Sequence, residues 1–270
     1  MVHKTQDGLD LYYEVQGNLT SEECLVFLNG LTQSTLAWAL MTPYFKDKYK
    51  IILLDFIFQG QSSKEGEWRN FEQHAGDVHG LLNTLELKKV NLIGLSYGSF
   101  VAQHFAVRFP ERLNKLILIS TVAHKNPYFE AIELSWENAL KLGGYNLLLD
   151  IMLPNVLSEE YFLNPLIPID TMKAARKDLN QNAGAILKLM KATKERTDFR
   201  KELQKIKTPT LIVQGEKDSL LPVHMANEVH LNIKNSKFIV IPHAGHTLNL
   251  EHVAEVSHYI NDFLNNALSD

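Results

Sequence analysis

Short apolar runs, most of them continuous, alternate with helical patterns along most of this chain. The apolar runs lie at 25–28, 50–55, 90–95, 116–120, 210–214 and 237–241. Strands that alternate apolar and polar residues have one wet face. Continuous runs of this length fit strands covered on both faces, as in a parallel sheet between helix layers. Helical spacing is expected at 35–46, 71–85, 97–108, 223–231 and 254–268. Repeated strand-helix units imply right-handed crossovers and an open, doubly wound α/β sheet. At the front of the chain, Asp7-Gly8 separates strand-like runs at 3–5 and 9–15, the pattern of an antiparallel hairpin at a sheet edge.

The alternation fails once. Between 121 and 207 no run reads as a strand, and several helical periods carry Tyr128, Phe129, Trp136, Tyr145, Met152, Tyr161 and Phe162. This predicts an α/β core formed by 1–121 and 208–270, with 122–207 inserted as a helical cap. An insertion at that point covers the carboxyl ends of the strands, where open α/β sheets bind ligands.

Candidate chemistry sits at those same ends. Gly94-Leu95-Ser96-Tyr97-Gly98 fits G-x-S-x-G between an apolar strand and a helical pattern. That context is what a nucleophile elbow needs: glycines let backbones pass closely, and the helix N-terminus favours developing negative charge. A serine hydroxyl needs a base within reach. His246 lies in the turn-rich loop Pro242-His243-Ala244-Gly245-His246, after the last strand. Asp218 follows the strand at 210–214. The order Ser96, Asp218, His246 is one that a serine triad adopts. His243 competes for the base role and Glu216 for the acid role, and Asp218 also fits a turn cap. Oxyanion donors are expected from the amides of Tyr97, after the serine, and Leu31, in the loop Asn29-Gly30-Leu31-Thr32. Asn29, Gly30 and Trp136 are candidate substrate contacts.

With these residues in view, the chain resembles the α/β-hydrolase superfamily over nearly its whole length. The likeness rests on Asn29-Gly30, Asp55 with Gly60-Gln61-Ser62, 94–98, 215–218 and Gly245-His246. It implies an α/β-hydrolase fold, a Ser96-Asp218-His246 triad, oxyanion donors at Leu31 and Tyr97, and a cap at the insertion. The chain departs from the family in two places. Asn29-Gly30 stands where His-Gly is common, and 55–62 lacks the arginine and first glycine of D-x-R-G-x-G-x-S. Asn29-Gly30, Gly60-Gln61-Ser62 and Gly245-His246 with Leu250-Glu251 are similar to the acyltransferase that makes the lipid precursor of rhamnolipids. Ester or thioester hydrolysis is therefore the leading expectation. Acyl transfer to a hydroxyl and non-catalytic binding of a small molecule are the alternatives.

Composition narrows the partners. The 270 residues are 45% hydrophobic and 21% charged, with net charge −4, which gives no reason to expect nucleic acid. The stretch 188–207 is the exception, with eight Lys and Arg against three Asp and Glu. It reads either as a solvated helix face or as a dock for an acidic acyl carrier or the phosphates of coenzyme A. The single cysteine, Cys24, excludes an intrachain disulfide. No transmembrane run and no apolar leader stand out, so the expected location is the cytoplasm, with no membrane contact. No phosphate loop and no cofactor motif occurs. His74 and His79, five apart in a predicted helix, do not share the face a metal pair needs, and His104 reads as structural.

Overall fold

The structure is a computed structural model and describes residues 1–179 and 182–268. Its strands are β1 (Val2–Lys4), β2 (Asp10–Gly17), β3 (Cys24–Leu28), β4 (Lys50–Leu54), β5 (Val90–Leu95), β6 (Leu113–Ile119), β7 (Thr210–Gly215) and β8 (Ser236–Ile241). Every residue of β3, β5 and β7 is buried, as continuous apolar runs require. They form one eight-stranded sheet in the order β1-β2-β4-β3-β5-β6-β7-β8. β1 and β2 pair antiparallel, with His3 opposite Leu11, and β2 runs antiparallel to β4. All later pairings are parallel. The predicted α/β-hydrolase architecture is thus present, including the edge hairpin.

The helices are α1 (Phe71–Thr84), α2 (Tyr97–Arg108), α3 (Pro127–Val156), α4 (Glu159–Leu163), α5 (Ile169–Leu179), α6 (Ala183–Lys194), α7 (Arg200–Leu203), α8 (Val223–Asn232), α9 (Leu248–Glu251) and α10 (Val253–Leu264). Two apolar cores result, one on each sheet face. Val26, Leu92 and Leu118 face α1 and α2 in one. Phe27, Ile93 and Ile119 face Trp38 and α10 in the other.

Two predicted helices differ. The segment 35–46 forms two short 3-10 turns, Thr35–Trp38 and Thr42–Tyr44, instead of one α-helix. Pro43 lacks the N–H that a continuing helix needs and clashes with the preceding turn. The last helix ends at Leu264, short of 268, because Asn266 is left-handed (φ 57°). The Ala267 N–H then closes on the Asp262 carbonyl at 2.8 Å and the Asn266 N–H on that of Phe263 at 3.2 Å, a Schellman stop.

Between β6 and β7 the described residues form only helices, α3 to α7. α3 is bent at Gly144 (φ 67°, ψ −161°) and packs against α5 and α6. The chain returns to the sheet through Arg196. This buried guanidinium lies 4.3 Å over Phe100 and donates to the Gln103 side chain at 2.7 Å and the Val122 carbonyl at 3.1 Å. Among the described residues no helix is long and apolar enough to cross a membrane.

Glu133 sits half-buried on α3 with Lys125, Glu130, Lys194 and Glu137 around it. Burial, partly offset by Lys125, pushes its carboxyl up to about 7. The folded chain therefore holds this proton more tightly than the unfolded chain. The group costs stability as pH rises from the ordinary carboxylate range through about 7. Glu133→Gln removes that titration. Thermal unfolding from about pH 5 to about pH 8 will show a flatter profile and a higher melting temperature at the alkaline end than wild type.

Candidate active site

β5 meets α2 in a turn that only this kind of sequence permits. Ser96, between them, has φ 51° and ψ −114°. A left-handed non-glycine residue costs about 1–3 kcal/mol and persists only where its surroundings fix it. Here they do. A Cβ at Gly94 would lie 2.4 Å from the Gly98 carbonyl oxygen, and one at Gly98 would lie 2.2 Å from that of Leu28. Ser96 donates its N–H to Ile119 at 2.9 Å, while its carbonyl accepts from Ser99 N–H at 2.8 Å. The Ser99 hydroxyl donates to the same carbonyl at 2.6 Å. The Ser96 side chain remains half-exposed, above the sheet at the start of α2.

Asp218 and His246 meet across 28 residues. Asp218 Oδ2 lies 2.7 Å from His246 Nδ1. The carboxylate is buried and also accepts from Gln214 Nε2 at 2.7 Å and from the amides of Leu220 (3.0 Å) and Leu221 (2.8 Å). It is therefore a turn cap as well as a partner of the imidazole. An acceptor on Nδ1 leaves the proton there and the lone pair on Nε2. The rival pair stands outside. His243 and Glu216 are exposed, and the His243 N–H donates to Glu216 Oε2 at 3.1 Å. That bond, with Lys217 beside it, holds the Glu216 carboxyl below its usual range.

The loop that carries His246 is held by a carboxylate whose role sequence reasoning missed. Glu251 accepts from the amides of Gly245 (3.0 Å) and Thr247 (3.2 Å), on either side of His246. It also accepts from Ser158 N–H, at the end of α3, at 3.0 Å. Ser120 adds a hydroxyl bond to the His246 carbonyl at 2.7 Å. The local signal was faint: a glutamate five residues after a histidine.

Ser96 and His246 line one narrow cavity of about 40 Å³ with Gly30, Leu31, Trp136 and Met152. Trp136 is buried, and its indole N–H is engaged with Asn155 Oδ1 at 3.2 Å, so it offers the cavity an apolar surface. Asn29 departs from its expected substrate contact. It is fully buried, and its amide bonds the Leu54 carbonyl (2.8 Å) and Asp55 Oδ1 (3.2 Å), while Trp38 Nε1 donates to its oxygen at 2.8 Å. Asn29 anchors the loop from behind. Gly30 N–H is likewise closed on Gln33 Oε1 at 3.0 Å. Among the described residues neither the Leu31 nor the Tyr97 N–H has a protein acceptor.

The unusual 55–62 segment supports this loop. Phe58, in the position of the absent glycine, is left-handed at φ 82°. Gln59 is fully buried and donates to the carbonyls of Gly30 (2.8 Å) and Leu31 (3.0 Å). Nothing in the sequence pattern signalled this.

Other candidates fall away from the cavity. Burial pushes His74 down to about 3, between Phe56 and Tyr97, and His104 down to about 3 beside Phe199. His79 stacks on Phe109 at 4.1 Å. Among the described residues no group of three or more His, Cys, Asp or Glu could hold a metal ion. Members of the basic stretch make separate contacts. Arg196 is buried, Lys191 lies 4.5 Å over Trp68, Lys188 donates to the Gly66 carbonyl at 2.6 Å, and Arg200 pairs with Glu228 at 3.1 Å.

Relatives share this whole arrangement of elements. The crystal structure of MGS-M2, an alpha/beta hydrolase enzyme from a Medee basin deep-sea metagenome library, superposes with a TM-score of 0.90 at 26% identity, covering 100% of this chain and 99% of that one. A thermophilic esterase from Thermogutta terrifontis gives a TM-score of 0.88 at 25% identity, covering 100% and 99%. The 3-oxoadipate enol-lactonase 2 of Acinetobacter baylyi is 28% identical over 260 residues, covering 95% of this chain and 93% of that protein. A family model described as alpha/beta hydrolase fold matches residues 23–253, and the chain belongs to that family of hydrolases.

Proposed function

We propose that the protein is a serine hydrolase that cleaves a carboxylic ester or thioester through an acyl-enzyme on Ser96. The observation that carries this reading is the buried Asp218–His246 contact of 2.7 Å, whose imidazole closes the same cavity as a strained serine at a helix start. A binding module has no need of a base held in one tautomer beside such a serine. The esterase and the lactonase among the relatives support an ester substrate.

Ser96 Oγ attacks the carbonyl carbon while His246 Nε2 takes its proton. Asp218 keeps the other imidazole proton on Nδ1 and stabilises the imidazolium that forms. The negative charge on the carbonyl oxygen is received by the Leu31 and Tyr97 amides, at a helix N-terminus that favours it. The imidazolium then protonates the leaving alcohol or thiol. Water, activated by the same imidazole, attacks the ester of Ser96 and frees the acid. The inserted segment 122–207 acts as a cap, since Trp136, Met152 and Val156 roof the cavity. Transfer to a hydroxyl would use the same serine, and a product assay with and without an added alcohol separates the two.

Two predictions follow from these contacts. Ser96→Ala lowers turnover of p-nitrophenyl acetate at least about 10³-fold while leaving the unfolding transition in place. A fluorophosphonate labels the wild type at Ser96 and leaves the variant unlabelled, and undiminished turnover by the variant sinks the assignment. Glu251→Ala takes the acceptor from the Gly245 and Ser158 amides, while the Thr247 N–H keeps the Val156 carbonyl at 3.1 Å, so it costs about 2 kcal/mol of stability and also lowers kcat, because His246 loses part of its frame. Thermal unfolding and steady-state kinetics read the two effects separately.

A further inference from the structure

A second, larger cavity of about 280 Å³ lies beside the catalytic one, between the start of α5 and the 3-10 turn at Thr35–Trp38. The two cavities share Thr32, Gln33 and Thr247, so they adjoin along these residues. Thr32 and Gln33 directly follow Leu31, and Thr247 follows His246. Its apolar walls come from both sides: Leu36, Ala37 and Leu40 from the core, Ile167 and Met172 from the insertion, and Leu250 from α9. The polar groups among its described lining residues are uncharged, namely hydroxyls and amides such as Thr171 and Asn249. Of the lining residues, Leu36 is 56% exposed, so the cavity opens to the surface beside an apolar side chain. The volume is at the low end of small-molecule sites, which run from about 300 Å³ upward.

From this geometry we propose that the substrate carries an uncharged apolar group of several carbons, seated in this cavity while the ester lies against Ser96. The proposal rests on the serine-hydrolase reading and adds its substrate class. Each buried methylene is worth about fourfold in binding. Along an acetate, butyrate, hexanoate and octanoate series of p-nitrophenyl esters, or a series of acetates with lengthening alcohols, kcat/KM will rise at least about tenfold. The series that rises identifies which side of the ester enters. Ala39 and Thr171 line opposite walls and are exposed, so bulk there fills the space without disturbing the core. Ala39→Phe and Thr171→Phe will each lower the ratio of long-chain to acetate turnover by about tenfold. Flat profiles in both wild-type series, or ratios untouched by both variants, overturn the proposal. Failure of the underlying reading looks different: no ester is turned over, and Ser96 takes no phosphonate.

A separate observation concerns Gln59. A peptide unit is planar and trans, so the Gly30 carbonyl and the Leu31 N–H point in opposite directions. Gln59 Nε2 holds that carbonyl at 2.8 Å and the next one, of Leu31, at 3.0 Å. Its own oxygen accepts from Asn29 Nδ2 at 3.3 Å and Phe56 N–H at 3.4 Å, which sets the orientation of the amide. We infer that Gln59 is a positioning residue: it grips the back of the Gly30–Leu31 peptide and so aims the Leu31 N–H at the oxyanion. Gln59→Met keeps the length and removes the grip. It will lower kcat by about 10- to 100-fold with KM changed less than about threefold, since the loss falls on the transition state. Gln59→Leu, which keeps most of the bulk and has no donor, answers the same question if the methionine variant does not fold. Normal kcat in a folded variant, whatever its melting temperature, overturns the inference.

Discussion

The structure turns on how closely the start of α2 approaches the end of β3. The backbone at Gly98 lies against the Leu28 carbonyl with no room for a Cβ, and Gly94 lies against Gly98 in the same way. That contact brings the helix start directly over the sheet edge. It forces Ser96 into a left-handed turn with its hydroxyl upward, and it places the Tyr97 amide next to the loop that leaves β3. The strain is tolerable because buried, fully paired strands on both sides hold the turn. A similar contact recurs at the other end of the site. A Cβ on Gly215 would lie 2.0 Å from the Gly245 carbonyl oxygen, so the Asp218 and His246 loops also meet through bare backbone.

These contacts explain what was legible. Apolar runs at 25–28, 90–95 and 210–214 became strands buried throughout, because burial on both faces favours apolar residues at nearly every position, with Asn91, Thr210 and Gln214 the buried polar exceptions. Gly94 and Gly98 were readable because close backbone approach demands both, and Ser96 because it stands strained between them. Asp218 and His246 followed from lying just past strand ends, and the structure brings those two together and leaves His243 and Glu216 on the surface.

The illegible parts depend on the third dimension. Asn29 faces inward because Trp38, Leu54 and Asp55 converge on it, and none of them is its sequence neighbour. Gln59 grips a loop nearly thirty residues away, from a segment where the family pattern is broken. The basic stretch looked like one patch in the sequence. In space its members turn to different elements, with Arg196 buried over Phe100 and Lys191 lying over Trp68. Charge counted along a chain loses the direction in which each side chain points.

Glu251 joins two things that are usually considered apart. One of its oxygens accepts from Gly245, next to His246, and from Ser158, which belongs to the inserted helices. The inserted helices and the His246 loop therefore share an anchor, beside the bonds from Thr247 to the Val156 carbonyl. Any displacement of the end of α3 must work against the same carboxylate that frames the imidazole. By linkage, whatever steadies the end of α3 also steadies the His246 loop, and a loosened His246 loop loosens the end of α3 to the same degree.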